Sequence, residues 1–177
     1  MKTFWKIDPS HSEVEFKVRH LMITTITGHF DSYMLDVITL GDDFSTASKI
    51  DFSIDVNSIR TNNSQRDEHL RSAEFFDAEQ YPTIRFSAAQ LIKNEDGYLL
   101  NGELTIKDIT KAISLEVDFG GVITDPYGQH KAGFTVTGSL SRKEFGLLWN
   151  PTTEAGQIVV GDQIRINCSI QLIRTEN

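Results

Sequence analysis

The sequence predicts an all-β fold of antiparallel strands. Three observations predict it: polar and apolar residues alternate along most of the chain, turn residues separate the alternating segments, and one stretch of 26 residues (57–82) breaks the alternation. Alternation with period two places one face of each strand in water and the other in the core, which is typical of antiparallel sheets.

Alternating segments run from the beginning of the chain to its end. Segment 12–20 places Val14, Phe16 and Val18 on one face and charged residues on the other. The same pattern recurs in segments 50–56, 112–119, 132–140 and 163–172, and we also expect strands near 3–8, 28–40, 83–92 and 98–106. Such a set forms either a sandwich or a closed barrel, and closure is favoured because it removes exposed sheet edges.

The connections have the composition of turns, with one exception. Asn94–Gly97 and Asp125–Gly128 are hairpin turns, and Gly120-Gly121 indicates a bulge. In the long connection, Ser64 and Asp67 resemble a capping box, which predicts a short helix over 64–71 on a flap across one barrel end. Shorter irregular stretches are expected at 20–28 and 142–157.

Length and charge exclude several classes of protein. The 177 residues predict a single domain over 1–177. The net charge of −8 argues against a nucleic-acid partner, because an acidic surface repels phosphates. No apolar run is long enough for a transmembrane segment. The residues after Met1 lack the apolar core of a signal peptide, so we expect a cytoplasmic location. If a signal has been removed, the expected location is periplasmic or extracellular.

The metal-ligating residue types do not form a recognisable site. Cys168 is the single cysteine and lies on an interior stripe, where a thiol is inert. The five histidines lack the spacing of a zinc motif, so we expect neither a metal nor a cofactor. We interpret Ser10-His11-Ser12 as a turn after Pro9, because no nucleophile elbow accompanies it.

His20 is the most informative polar residue. It continues the face of Val14, Phe16 and Val18, so its side chain points inward. It is either a core histidine bonded to a neighbour or a polar anchor in an apolar cavity. Arg66 to His69 on the predicted helix are likewise either a solvated face or the rim of a pocket.

An eight-stranded barrel leaves room for one slim ligand, and the inward Val, Ile, Leu and Phe side chains make that space apolar. These residues favour a binding protein, not an enzyme, since no catalytic set is apparent. The alternative from another class is an enzyme acting on a lipid or a small carbonyl, with His20 as general base.

Four separated motifs resemble the signatures of the YceI-like family. They are Trp5-x-Ile7-Asp8-x-x-His11-Ser12-x-Val14-x-Phe16-x-Val18-x-His20 with Gly28-x-Phe30; Arg66-Asp67-x-His69-Leu70-x-Ser72-x-x-Phe75-Phe76-Asp77 with Tyr81-Pro82-x-Ile84-x-Phe86; Gly102-x-Leu104-Thr105-Ile106; and Ser141-Arg142-x-x-Phe145-Gly146. Lys107-Asp108 stands where the family often has glycine, which affects one turn. The resemblance spans essentially the whole chain.

The resemblance implies an extended eight-stranded antiparallel, lipocalin-like barrel that carries a polyisoprenoid or a similar long-chain amphipathic lipid. A fatty acid or fatty amide is the alternative ligand. The implied polar contacts are His20, Arg66, His69 and Arg142. The implied apolar contacts are Phe16, Val18, Phe30, Phe52, Phe75, Phe76, Phe86, Phe134 and Phe145.

Two further expectations concern assembly and ligand entry. The resemblance implies frequent dimers, and segment 28–40 is apolar on both faces: Phe30, Met34, Ile38 and Leu40 on one, Tyr33, Leu35 and Val37 on the other. We therefore expect a homodimer through the outer face of this strand. We also expect 57–82 to gate the lumen, since a hydrogen-bonded barrel admits a long chain only through an end.

Overall fold

The computed structural model describes residues 1–151, 153–156 and 159–175. Its strands are β1 (Lys2–Ile7), β2 (Glu13–His20), β3 (Thr24–Phe30), β4 (Tyr33–Leu40), β5 (Lys49–Asp55), β6 (Ile59–Arg60), β7 (Thr83–Ala88), β8 (Ile92–Lys93), β9 (Tyr98–Ile106), β10 (Ile109–Thr124), β11 (His130–Ser141) and β12 (Gln163–Thr175). The helix is α1 (Ser64–Arg71), and short 3-10 turns occupy Pro9–His11, Phe44–Thr46, Val56–Ser58 and Arg142–Phe145.

Eight strands close into an antiparallel barrel in the order β1-β4-β5-β7-β9-β10-β11-β12. The ring closes because β1 pairs with β4 on one side and with β12 on the other. Strands β2, β3 and β6 extend the wall at one end, where β2 pairs with the first part of β12. The predicted all-β antiparallel barrel with a short helix is confirmed.

The 3-10 turn Pro9–His11 separates β1 from β2, although both strands run along β12 in the same direction. The buried carboxylate of Asp8 holds this interruption together: it accepts hydrogen bonds from the backbone N–H of Ser10 at 3.1 Å and from the side chain of Gln171 on β12 at 2.9 Å. Ser10-His11-Ser12 is therefore the turn that the sequence predicted.

The segment 28–40 is not one strand, and the predicted arrangement of its faces is wrong. The chain breaks at Asp31–Ser32, between β3 and β4, so the alternation changes phase. Phe30 is 7% exposed and points inward, whereas Met34 is 67% exposed. The stretch expected to be irregular at 20–28 contains the start of β3, because its threonines favour extended backbone.

Helix α1 has the predicted bounds but not the predicted cap. The side chain of Asn63, not Ser64, accepts a hydrogen bond from the backbone N–H of Arg66 at 3.0 Å. Asp67 does not complete a capping box, because its carboxylate is buried and accepts a hydrogen bond from the N–H of Thr61 at 2.9 Å. This bond anchors the helix to the end of β6.

The two ends of the barrel differ. Near the start of β1, four aromatic side chains fill the barrel, and we call them the aromatic plug: Trp5, Phe44, Phe119 and Phe134. At the other end, α1 and the irregular stretch after β11 stand beside an opening. Residues 152 and 157 of the stretch predicted at 142–157 lie outside the described residues.

Candidate functional site

The barrel encloses an apolar cavity of about 600 Å³ that reaches the end beside α1. Strand alternation builds its wall: β2 contributes Val14, Phe16 and Val18, and β12 contributes Ile164, Ile166, Cys168 and Ile170. Apolar walls of this extent stabilise hydrocarbon, with about 0.8 kcal/mol gained for each methylene taken out of water. The cavity therefore suits a long apolar chain.

Two glycines leave room for phenylalanine rings in the wall of this cavity, and each lies on the strand next to its ring. A Cβ atom on Gly28 would lie 2.2 Å from the ring of Phe16, and one on Gly102 would lie 2.5 Å from the ring of Phe86. Each ring consequently rests against the bare backbone of a glycine. A larger residue at either glycine would push the ring away from that position, toward the space a ligand would occupy.

Polar side chains gather at the mouth of the cavity. Arg66 donates a hydrogen bond from Nε to Thr61 Oγ1 at 2.7 Å and a second one from Nη2 to the Thr61 carbonyl. His69 pairs through Nε2 with Glu74. His20 lies in the lining, and within the described ranges its imidazole has no hydrogen-bond partner. The mouth thus presents polar side chains above an apolar interior.

Arg142 is buried at the mouth and is held by backbone carbonyls. It donates from Nη1 to Leu147 at 2.7 Å and to Trp149 at 2.9 Å, from Nε to Gly161 at 2.8 Å, and from Nη2 to Val160 at 3.2 Å. Burial lowers the pKa of its guanidinium, although the negative charge of Asp162 acts in the other direction and raises it. Most of its donor capacity organises the stretch after β11.

The structure brings most of the predicted contact residues to one cavity. Eleven of them line it: Phe16, Val18, His20, Phe30, Phe52, Arg66, His69, Phe75, Phe76, Phe86 and Arg142. Phe134 does not, because it belongs to the aromatic plug, where its ring lies 4.8 Å from that of Phe44. Phe145 is 1% exposed and packs in the core outside the cavity lining. Ligand contact itself stays a prediction.

Sequence reasoning missed several residues at the mouth, above all Trp149. Its ring lines the cavity and packs on Phe75 with centroids 5.3 Å apart. Thr61, Gln65, Val159 and Val160 also line this end. The apolar run Leu147-Leu148-Trp149 in an otherwise irregular stretch was the available signal, although only Leu147 and Trp149 face the cavity and Leu148 is 64% exposed.

Across the part of the chain that the structure describes, His, Cys, Asp and Glu side chains do not converge in groups of three or more that could hold a metal ion. Within the same residues, α1 and the short turns are too short and too polar to cross a membrane. The cytoplasmic location and the absence of a nucleic-acid partner stay predictions.

Comparison with known proteins assigns the chain a family. The family model described as "YceI-like domain" matches residues 5–172. A UPF0312 protein of Staphylococcus aureus (strain bovine RF122 / ET3-1) is 34% identical over 177 residues, which cover 98% of this chain and 99% of the relative. These matches span the barrel and both of its ends.

Two solved structures share the fold. A YCEI protein of Campylobacter jejuni superposes with a TM-score of 0.75 at 28% identity, covering 89% of this chain and 90% of that one. A structure described as a polyisoprenoid binding domain from Saccharophagus degradans superposes with a TM-score of 0.67 at 15% identity, covering 97% and 98%. The latter similarity concerns the fold.

Proposed function

The chain belongs to the YceI-like family, and we propose that it binds a polyisoprenoid or a similar long-chain amphipathic lipid in its barrel and carries it. The observation that supports this most directly is the apolar cavity of about 600 Å³, which has polar side chains in its lining beside α1. The polyisoprenoid-binding neighbour supports an isoprenoid in particular.

The polar rim suggests how the ligand is oriented. An apolar tail gains free energy only inside the barrel, whereas a polar head loses hydrogen bonds to water unless it stays near donors. His20, Arg66 and His69 supply such donors at the mouth. We therefore place the head beside these three residues and the tail in the cavity that β2 and β12 line.

Organic extraction of the purified protein, followed by mass spectrometry, tests the proposal. We expect one long-chain lipid in near-stoichiometric amount, and its mass distinguishes a polyisoprenoid from a fatty acid or a fatty amide. Ile166→Trp fills the cavity from β12, while Arg165→Trp adds the same side chain on the exposed face one residue away. Lipid should be lost from the first variant and retained by the second; loss from neither would contradict a site in the barrel.

Carriage requires that the lipid also leaves. Protein loaded with a fluorescent polyprenol should transfer it to acceptor vesicles at a rate that rises with vesicle concentration. Retention of the probe over the same period, with the protein folded, would contradict a carrier and leave a storage role.

The alternative with His20 as a general base needs a partner that orients the imidazole. No carboxylate or hydroxyl among the described side chains hydrogen-bonds to His20. We propose a binding contact instead, and His20→Ala should weaken lipid affinity by about 1–3 kcal/mol, the scale of one polar contact. A turnover of any lipid that His20→Ala abolishes would contradict this assignment.

We also propose that a second copy of this chain covers the outer face of β4. Met34 and Leu40 are exposed there, and Ile38 lies between them beside Phe4 of β1. Sedimentation should show a dimer that Met34→Glu dissociates, whereas Met22→Glu, at an exposed methionine elsewhere, leaves it intact. A monomer at high micromolar concentration would contradict the dimer.

A further inference from the structure

The cavity ends at one level around the barrel, although inward-facing side chains continue below it. On β12, Ile170 lines the cavity and Leu172 does not; on β11, Val136 lines it and Phe134 does not. On β9 the lining stops at Leu100, before Tyr98. β12 pairs with β11, and β10 joins β11 to β9, so the cavity has a defined floor across these adjacent strands.

Below this floor the barrel is filled by the aromatic plug, whose Phe134 is the next inward side chain after Val136 on β11. One ring of the plug enters the barrel from its end. Phe44 belongs to the 3-10 turn after β4. The centroid of its ring lies 4.9 Å from that of Trp5, 4.8 Å from that of Phe134 and 5.5 Å from that of Phe119. Asp43 caps this turn by accepting hydrogen bonds from the N–H of Ser45 at 2.9 Å and from its hydroxyl at 2.6 Å. Phe44 is thus the central ring of the aromatic plug.

The plug is fixed by a buried polar contact as well as by packing. The indole N–H of Trp5 donates to Thr39 Oγ1 at 2.9 Å, and the Thr39 hydroxyl donates to the Gly41 carbonyl at 2.6 Å. Trp5 and Thr39 are each 1% exposed. Close-packed side chains with satisfied donors do not yield to a ligand without losing contacts.

We propose that the aromatic plug sets the length of hydrocarbon chain that the protein accepts, with Phe44 as the specificity-determining residue. The inference rests on the proposed lipid-binding function. A growing chain gains burial until its end meets the plug. Beyond that length each added methylene stays outside the mouth or forces the chain to buckle, so it contributes no further affinity.

A homologous series of straight-chain primary alcohols measures this limit, because the hydroxyl head group is the same in every member and only the chain length changes. In the wild type, affinity should rise about fourfold for each added methylene and then reach a break, after which it stays constant or falls. Phe44→Leu should move the break to longer chains, and Phe44→Ala should move it further where that variant folds. Phe145→Leu, the same substitution at a buried ring outside the cavity lining, should leave the break where it is.

The outcomes separate the two proposals. If alcohols bind but show no break, or the break of folded Phe44→Leu coincides with that of the wild type, the plug does not measure chain length. An equal shift in Phe145→Leu would also overturn the assignment to Phe44. If no alcohol binds to the wild type, the lipid-binding function itself is overturned, and the chain-length limit with it.

Discussion

The ring of Trp149 stands perpendicular to that of His69, with centroids 4.6 Å apart, at the mouth of the barrel. His69 comes from α1, and Trp149 comes from the stretch that Arg142 organises through its bonds to carbonyls. Two segments distant in sequence therefore meet over the opening. A ligand that enters the cavity between these two segments would change the surroundings of the Trp149 indole.

Tryptophan fluorescence should report ligand entry for this reason. The chain has two tryptophans, and Trp5 lies in the aromatic plug. Addition of a long-chain polyprenol should change the emission of the wild type and of Trp5→Phe more than that of Trp149→Phe. A full response in folded Trp149→Phe would show that the signal arises elsewhere.

Gly28→Ala should reduce both stability and lipid affinity. The new methyl group would lie 2.2 Å from the Phe16 ring, so the ring must move from the wall. Such overpacking costs about 1–3 kcal/mol of unfolding free energy, measured by urea denaturation. Gly133→Ala is the matched control, because a Cβ there has nothing within 4 Å. Equal effects of the two substitutions would contradict the role of the Phe16–Gly28 contact.

Arg142→Met should destabilise the protein by more than about 3 kcal/mol, because four carbonyls lose a buried charged donor. Lys143→Met changes the adjacent, exposed cation and should have little effect. Chemical denaturation measures both. If Arg142→Met were as stable as the wild type, its carbonyl contacts would not hold the mouth together.

The Asp8 carboxylate should make stability fall in acid. Burial raises its pKa, but hydrogen bonds from His11, Gln171 and Ser10 outweigh burial and hold the pKa below its ordinary value of 3.8. The stabilisation is therefore complete above about pH 4, the unfolded value, and is lost as pH falls through the lower folded value.

Asp8→Asn isolates this contribution from those of other carboxylates. We expect it to cost about 1–3 kcal/mol at neutral pH, and the difference from the wild type should shrink as the pH drops below about 4. A difference that is the same at pH 7 and in strong acid would contradict a carboxylate held ionised by these bonds.

Cys168 should resist alkylation in the folded protein. Burial raises the pKa of its thiol from 9.0 to about 11, so the thiolate fraction near pH 8 falls about a hundredfold. The rate with iodoacetamide should rise about tenfold per pH unit up to pH 10 and should fall when lipid fills the cavity that Cys168 lines. Rapid modification at pH 8 without unfolding would contradict this environment.

Within a single strand, period two predicted which side chains face inward, because a barrel wall has water on one side only. It predicted the inward faces of β2, β10, β11 and β12, whereas the short helix α1 was predicted from the break in this alternation and from its first residues. It could not predict the height of a residue along the barrel axis. Phe134 faces inward as expected, yet it packs in the plug because Phe44 arrives from a turn remote in sequence.

Other errors have local causes. The tight turn after β2 uses Leu21 and Met22 with φ of 51° and 57°, a conformation that usually signals glycine or asparagine, so the start of β3 was not recognised. The role of Arg142 depends on carbonyls of Leu147, Val160 and Gly161. Backbone partners of this kind leave no residue-type signature in a sequence.

Closure of the barrel by the plug at one end imposes an order of events on any chain that binds. The tail must enter first and leave last, because the same mouth serves both steps. A polar head consequently remains at the rim throughout the residence of the ligand. In the proposed carrier, an acceptor therefore contacts the head of the lipid before any part of its tail.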